Sequence, residues 1–430
     1  MRIALCTLGC KVNQYDTQTM RELLEDAGHT IVEFDDVADV YIVNTCTVTQ
    51  IADKKSRQMI SRARELSPKA KVIAAGCYAQ RAPRELLLQS GADMVVGTAK
   101  RGRVVTLLEE LLSASAPIDA VTPVAGIVFE DTSATRENRT RAHLKIQDGC
   151  DRFCAYCAIP LARGNARSRP LDSVRSELVK LDSESFREVV LTGVHLMSYG
   201  IDLDDGTGLL DAIAQFEGLH NIVRIRLGSL EPQLITEDFA RSLAQNPKIC
   251  HQFHLSLQSG SASVLRRMRR RYSPDDYARC VALLREHMPD AAITTDIIVG
   301  FPGETDDEFD ETVAFARAIG FARAHVFPYS RRSGTAAADM PGQICNAVKR
   351  ERAAALIAVA RELETRYLTG ALGSVKDVLF ETWENGVLSG YTDTYIRVAV
   401  ECQDASLCGT IRPCRLTRLS GDAVLGCICG

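Results

Sequence analysis

Apolar and polar positions fall into three successive patterns along the chain. Up to about residue 112, short apolar runs (IALCTLG, TIVEF, DVYIVNTC, KVIAAGC, ADMVVG) alternate with stretches such as TQTMRELLEDAG, whose apolar residues recur at helical spacing. Short strands separated by amphipathic helices predict an open parallel α/β sheet of about five strands, with residues 1–120 as the first domain. A polar stretch, DTSATRENRTRAH (131–143), reads as a linker. Over 136–368 the strand-then-helix rhythm recurs through HLKIQ, EVVLTG, IVRIRLG, FHLSLQ, ITTDIIVG and AHVFPY. About six βα units are too few for a closed eight-stranded barrel, so a partial (β/α)6 barrel is predicted. Over 370–430, short strands broken by turns such as Asn385-Gly386 predict a small antiparallel β-barrel. The fold class is α/β.

Composition narrows the setting. The chain has 430 residues, 46% hydrophobic and 25% charged, as expected of a soluble chain of two or three domains. Lysine and arginine number 51 against 55 acidic residues, a net charge of −4. That excludes a polybasic nucleic-acid binder but leaves room for a local basic patch. No apolar run is long enough to span a membrane, and the start, MRIALCTLGC, lacks the plan of a signal peptide. A cytoplasmic protein is expected, in which the 15 cysteines stay reduced and read as metal ligands rather than disulfides.

The cysteines form two sets. Cys150, Cys154 and Cys157 make a CxxxCxxC loop directly after the first barrel strand. Three thiolates leave a structural zinc site one ligand short, the alternative being half of such a site. They suit a [4Fe–4S] cluster with one iron left open for a substrate. Cys10, Cys46 and Cys77 each lie just past the carboxyl end of a predicted strand. Open parallel sheets bind ligands at that edge, so the three are expected to converge there. Core cysteines would sit mid-strand, as Cys6 does.

The CxxxCxΦC loop, with Tyr156 at the aromatic position, resembles the radical S-adenosylmethionine superfamily. The resemblance implies a catalytic [4Fe–4S] cluster on Cys150, Cys154 and Cys157. Its open iron chelates S-adenosylmethionine, and one-electron reduction cleaves the cofactor to a 5′-deoxyadenosyl radical. A three-cysteine α/β domain before the barrel and a small barrel after it resemble the methylthiotransferases across essentially the whole chain. This implies an auxiliary [4Fe–4S] cluster on Cys10, Cys46 and Cys77, and a TRAM-like RNA-binding terminal domain.

Contacts to S-adenosylmethionine are expected at the strand ends: Tyr156 on the loop, Thr192 and Gly193, Ser229 and Glu231, Gln258 and Ser259, Val299 and Gly300. Each has a structural alternative. Thr192-Gly193 can be a strand-ending turn, Ser229 to Ser259 can support other residues, and Thr305 with Glu308 forms a T-x-x-E capping box that explains the turn after Gly300. His195 and His254 also stand near strand ends, where a lone histidine is more often packed than catalytic.

LGCKVNQYD around Cys10 resembles the enzymes that methylthiolate N6-threonylcarbamoyladenosine beside the tRNA anticodon. The alternatives are isopentenyladenosine-tRNA or ribosomal-protein methylthiotransferases, or a non-catalytic iron–sulfur protein that binds RNA. The implied partners are a tRNA anticodon stem-loop and a small-protein electron donor. Basic clusters at 266–271, at 349–352 and at Arg412, Arg415 and Arg418 could meet phosphates. The terminal domain nevertheless has five basic residues against seven acidic ones, a net −2 that an RNA clamp would have to offset with a one-sided strip.

Overall fold

The computed structural model describes residues 1–136 and 140–429. In the first unit the strands Arg2–Thr7, Val40–Thr45, Lys71–Gly76 and Met94–Val96 pair in parallel, with Thr30–Val32 outside Arg2–Thr7. The period of two is visible in the packing. Ile3, Leu5 and Ile42 enter one core, while Ala4, Tyr41 and Val43 enter the other, so helices cover both faces. The sheet has six strands, one more than expected. The extra one, Ile118–Asp119, has two residues and so shows no readable period.

The middle unit contains all six expected strands. Arg141–Lys145, Glu188–Thr192 and Arg224–Leu227 form one parallel sheet. Gln252–His254, Ala292–Val299 and Arg323–Pro328 form another. Parallel bridges Ile225↔Ile249 and Leu230↔Leu255 join the two into an open barrel. The expected linker is shorter than its composition suggests. Arg141 and His143 already belong to the first barrel strand. Before it, the Ala134 amide donates to Glu177 and the Arg136 amide to Glu22, at 3.1 and 2.7 Å. Residues 137–139 of that stretch lie outside the described residues.

The last unit is a closed barrel of the strands Val375–Glu384, Val387–Thr392, Arg397–Glu401, Ile411–Ser420 and Ala423–Ile428. It is antiparallel, as expected, except where Val398 and Ala399 pair in parallel with Val424 and Leu425. Alternating directions cannot close around an odd number of strands, so one pair must be parallel. Among the described residues, no helix is long and apolar enough to cross a membrane.

Buried charge joins the first two units. Asp16 accepts from Lys145 at 2.8 Å and Arg163 at 3.1 Å, and also pairs with Arg101. Asp148 accepts from Lys145 at 2.7 Å and Arg163 at 2.8 Å. Burial alone would raise both carboxyl pKa values, but the surrounding cations hold Asp16 below its usual value and Asp148 well below it. The terminal barrel docks through Arg224 and Arg226, which donate to the Asp377 and Asp393 carbonyls at 2.8 Å, and through Asp290, held by Lys376 at 2.9 Å and His251 at 2.7 Å.

Asp16→Asn would leave three buried cations facing one aspartate. A loss of about 3–5 kcal/mol is expected, read as a fall in the denaturation midpoint. An unchanged midpoint would mean that the network does not hold the two units. The hydrogen bond to Asp290, opposed by burial, raises the pKa of His251 above its ordinary value. Its contribution is therefore complete below about pH 6.5 and is lost as pH rises through the raised value. Between about pH 6 and 8, the thermal midpoint should fall more steeply for the native protein than for His251→Gln.

Candidate functional site

Cys10 caps the helix Lys11–Asp26, Cys46 follows the strand Val40–Thr45, and Cys77 opens the helix Cys77–Arg81. Parallel register brings them to one edge, with Thr7 opposite Asn44 and Thr45 opposite Gly76. Gly9, at φ +103°, keeps space beside them: a Cβ there would come within 2.8 Å of Cys46 Sγ. Burial pushes the Cys46 thiol up to about 12, with repulsion from Cys77 and Cys10 adding to it. Burial also raises Cys77, against the pull of Arg163, whose Nε donates to Cys77 Sγ at 3.3 Å.

The second set is held in a loop tied down by backbone hydrogen bonds. Gly149 stands at φ +71°, where a side chain would collide with the Asn165 carbonyl. The Cys150 amide donates to Gly164 at 2.9 Å, Ala155 to Met268 at 2.9 Å, and Cys157 to Cys154 at 3.0 Å. Burial pushes Cys150 up to about 11 and Cys157 to about 12. Arg270 Nη1 lies 3.4 Å from Cys154 Sγ.

Both sets suit an iron cluster. At Cys46, Cys77, Cys150 and Cys157 a bound cation would stabilise as thiolates sulfurs that burial keeps protonated. A single tetrahedral zinc ion needs sulfurs about 3.8 Å apart, given bonds of about 2.3 Å. In neither set do all three sulfurs lie within 4.8 Å of one another. Among the described residues, the one trio of metal-ligating side chains that close is His251, Asp290 and Asp393, where Asp290 already pairs with Lys376.

A cavity of about 520 Å³ opens where the three units meet. Cys10 and Lys11 border it from the first unit, Thr192, Gly193 and Ser229 from the barrel strand ends, and Tyr395 from the terminal barrel. His254 and Asp296, with His254 Nε2 at 3.6 Å from the carboxylate, lie on its wall. Lys11 is open to this cavity, yet enough protein surrounds it that burial, ahead of repulsion from Arg226 and Arg141, lowers its pKa to about 8.

The other expected cofactor contacts do not border this cavity. Tyr156 packs against the cluster that contains Val264, Met268 and Phe301, while Val299 is buried in the main barrel core. Gly300 N donates to Glu304 Oε2 at 2.6 Å, and the buried Ser259 Oγ lies 3.2 Å from Thr312 Oγ1. Gln258 is buried with φ +68°. Glu231 is buried near Cys150, between Arg152 at 2.8 Å and His195 at 2.6 Å. The hydrogen bond from His195 lowers its carboxyl pKa against the effect of burial. The predicted capping box of Thr305 and Glu308 forms.

Sequence reasoning missed the charged residues that frame the clusters. Arg163 and Arg270 each face a cysteine, and Arg270 lay hidden in RRMRRR, expected as an open phosphate patch. Within that run Arg267 is spent on Glu308 at 2.6 Å and Met268 is core. Lys349 and Arg352 likewise turn inward. Spacing alone could not find them, because a buried arginine has no period; the available signal was only that Arg163 stands six residues after Cys157, in sequence reach of the loop.

Two family models match the chain: uncharacterized protein family UPF0004 over residues 2–97, and the radical SAM superfamily over residues 144–316. A threonylcarbamoyladenosine tRNA methylthiotransferase MtaB of Bacillus subtilis is 41% identical over 92% of this chain and 89% of its own. The protein of that name from Thermotoga maritima is 37% identical over 98% and 95%. A tRNA-2-methylthio-N(6)-dimethylallyladenosine synthase of Caldicellulosiruptor saccharolyticus is 33% identical over 93% and 87%. In fold, the chain is similar to the radical S-adenosylmethionine methyltransferase TsrM of Kitasatospora setae, with a TM-score of 0.57 at 17% identity, over 78% of this chain and 77% of that one. A radical barrel behind a matching first domain, with MtaB relatives aligned along nearly the whole length, makes this chain a member of the radical S-adenosylmethionine methylthiotransferases, of the MtaB type.

Proposed function

We propose that this enzyme adds a methylthio group to carbon 2 of N6-threonylcarbamoyladenosine beside the tRNA anticodon. The observation that carries this reading is the shared cavity. It sets Cys10, at the edge of the first sheet, against Thr192, Gly193 and Ser229 at the strand ends of the radical barrel. A substrate there lies against the Cys10 edge and the barrel strand ends at once. The activity named for the Bacillus subtilis and Thermotoga maritima relatives supports the choice of base.

Cys150, Cys154 and Cys157 would hold one [4Fe–4S] cluster and Cys10, Cys46 and Cys77 a second. When bound, these clusters and S-adenosylmethionine supply the one-electron chemistry an aromatic C–H bond requires and a place for the sulfur to be inserted. The chain's own residues do the rest. Thr192, Gly193 and Ser229 orient the cofactor at the barrel mouth, while Glu231, Gln258, Ser259, Val299, Gly300 and Tyr156 shape and support its neighbourhood. Arg163 fixes the direction of Cys77 Sγ and sets a positive charge beside it. Arg270 does the same at Cys154. Arg412, Arg415 and Arg418 are exposed along one strand and are available to phosphates in an otherwise acidic domain. An anticodon loop, with its bases unstacked, suits this geometry. Electrons come from a small protein of the cytoplasm.

Replacing Cys150, Cys154 or Cys157 by alanine should abolish reductive cleavage of S-adenosylmethionine. Replacing Cys10, Cys46 or Cys77 should stop sulfur insertion while cleavage persists, with iron falling from about eight to about four per chain. Equal loss of cleavage in both series would end the division of labour. Anaerobic turnover of anticodon stem-loops carrying either N6-threonylcarbamoyladenosine or isopentenyladenosine, followed by nucleoside mass spectrometry, tests the substrate. Methylthiolation confined to isopentenyladenosine would reject the reading.

A further inference from the structure

Among the described residues, one cation in the shared cavity has no ion-pair partner, the opposing carboxylate, Glu188, acting on it only at a distance. Lys11 is the first residue of the helix Lys11–Asp26, the end at which the helix dipole disfavours a positive charge, and no acidic residue occupies the first turn. Its side chain borders the cavity beside Gly9, Gln14 and Tyr395. Among the described residues it makes no hydrogen bond or ion pair.

The surroundings sharpen the imbalance. Arg226, Arg224 and Arg141 share the single carboxylate of Glu188, at 2.7, 3.7 and 3.9 Å, and Arg141 also takes Glu381 at 2.6 Å. Three guanidiniums against two carboxylates leave this end of the cavity positive before Lys11 is counted. The negative group on the cavity wall, Asp296, already faces His254. Helix dipole, neighbouring charge and missing partner all argue against lysine at position 11 for stability. A local rule broken with no ion pair inside the chain to offset it points to a partner from outside.

We propose that Lys11 is a specificity-determining residue whose ammonium pairs with a carboxylate on the N6 substituent of the target adenosine. This rests on the substrate reading above. A threonylcarbamoyl group ends in a carboxylate, whereas a dimethylallyl group has none. Because Lys11 adjoins Cys10, the same ion pair anchors the substituent next to the sulfur-bearing edge and turns the base toward it.

The test uses cluster-loaded full-length protein and two anticodon stem-loops, one bearing N6-threonylcarbamoyladenosine and one bearing its neutral carboxamide. The native enzyme should favour the acid by about tenfold or more in kcat/KM, the scale of a hydrogen bond to a charged group. In Lys11→Met the acid should fall to the level of the amide, chiefly through KM, and Lys11→Arg should restore most of the preference. Iron content and equilibrium binding of both RNAs, measured on each variant, separate a lost contact from a damaged cluster. Equal treatment of acid and amide by the native enzyme would overturn the proposal. So would a parallel fall on both substrates in Lys11→Met, which would assign the lysine to the fold or to sulfur handling. If the native enzyme modifies the acid and Lys11→Met keeps the preference, Lys11 is wrong and the substrate reading stands. If the native enzyme modifies neither RNA but accepts isopentenyladenosine, both fall together.

Discussion

The guanidinium of Arg163 is the contact on which the relation of the two cysteine sets depends. It is fully buried, at 0% exposure, and every nitrogen is committed. Nη1 bridges both oxygens of Asp148 at 2.8 Å, Nη2 reaches Asn13 Oδ1 at 2.6 Å and Asp16 at 3.1 Å, and Nε meets Cys77 Sγ at 3.3 Å. Asp148 in turn accepts the Gly149 amide at 2.8 Å, one residue before Cys150. A single rigid fork therefore runs from one cysteine set to the loop bearing the other. Lysine, a point charge on a flexible stem, could not hold these directions together. Burying such a network forgoes the stability that apolar packing could give. The return is geometry between two units that share no sheet.

The terminal barrel is part of the same construction. Tyr395 borders the cavity, and the Arg226 and Arg141 guanidiniums lie 4.7 and 5.1 Å from its ring centroid. Tyr391 stacks on it at 4.7 Å. A small β-barrel that merely tethered RNA would have no reason to send an aromatic side chain to this place. Its position makes the cavity the work of three units.

The architecture was legible in the sequence because it depends on periodic burial. Ile3 and Ala4 alternate between two cores, and the six barrel strands stand where their apolar runs predict. The cysteine sets were legible too, since strand ends in a parallel sheet share an edge whatever the loops between them do. What escaped were features with no period. Arg270 looked like one more surface arginine in RRMRRR, and its burial against Cys154 follows from a fold that closes around it. Asp16 and Lys145 looked like ordinary polar positions, yet they pair at 2.8 Å across 129 residues of sequence. The strand Ile118–Asp119 was invisible for the opposite reason, being too short for a pattern to repeat.

Local rules fail at several residues of the cavity, the Cys150 loop and the barrel strand ends. Phe153, in that loop, has φ +46° and is exposed, Gln258 has φ +68°, and Tyr395 has φ +67°. Left-handed backbone at residues other than glycine costs about 1–3 kcal/mol each and persists only where the surroundings impose it. Lys11 breaks a different rule, charge against dipole, at the same site. Elsewhere Ser185, Asp204 and Asn385 take the same backbone in turns and bends, Ser273, Thr236 and Thr305 cap their helices, and Gly320 ends one in the left-handed region. Phe153 and Gln258 take left-handed backbone outside any turn, so there the surrounding fold, and not a local turn signal, imposes it.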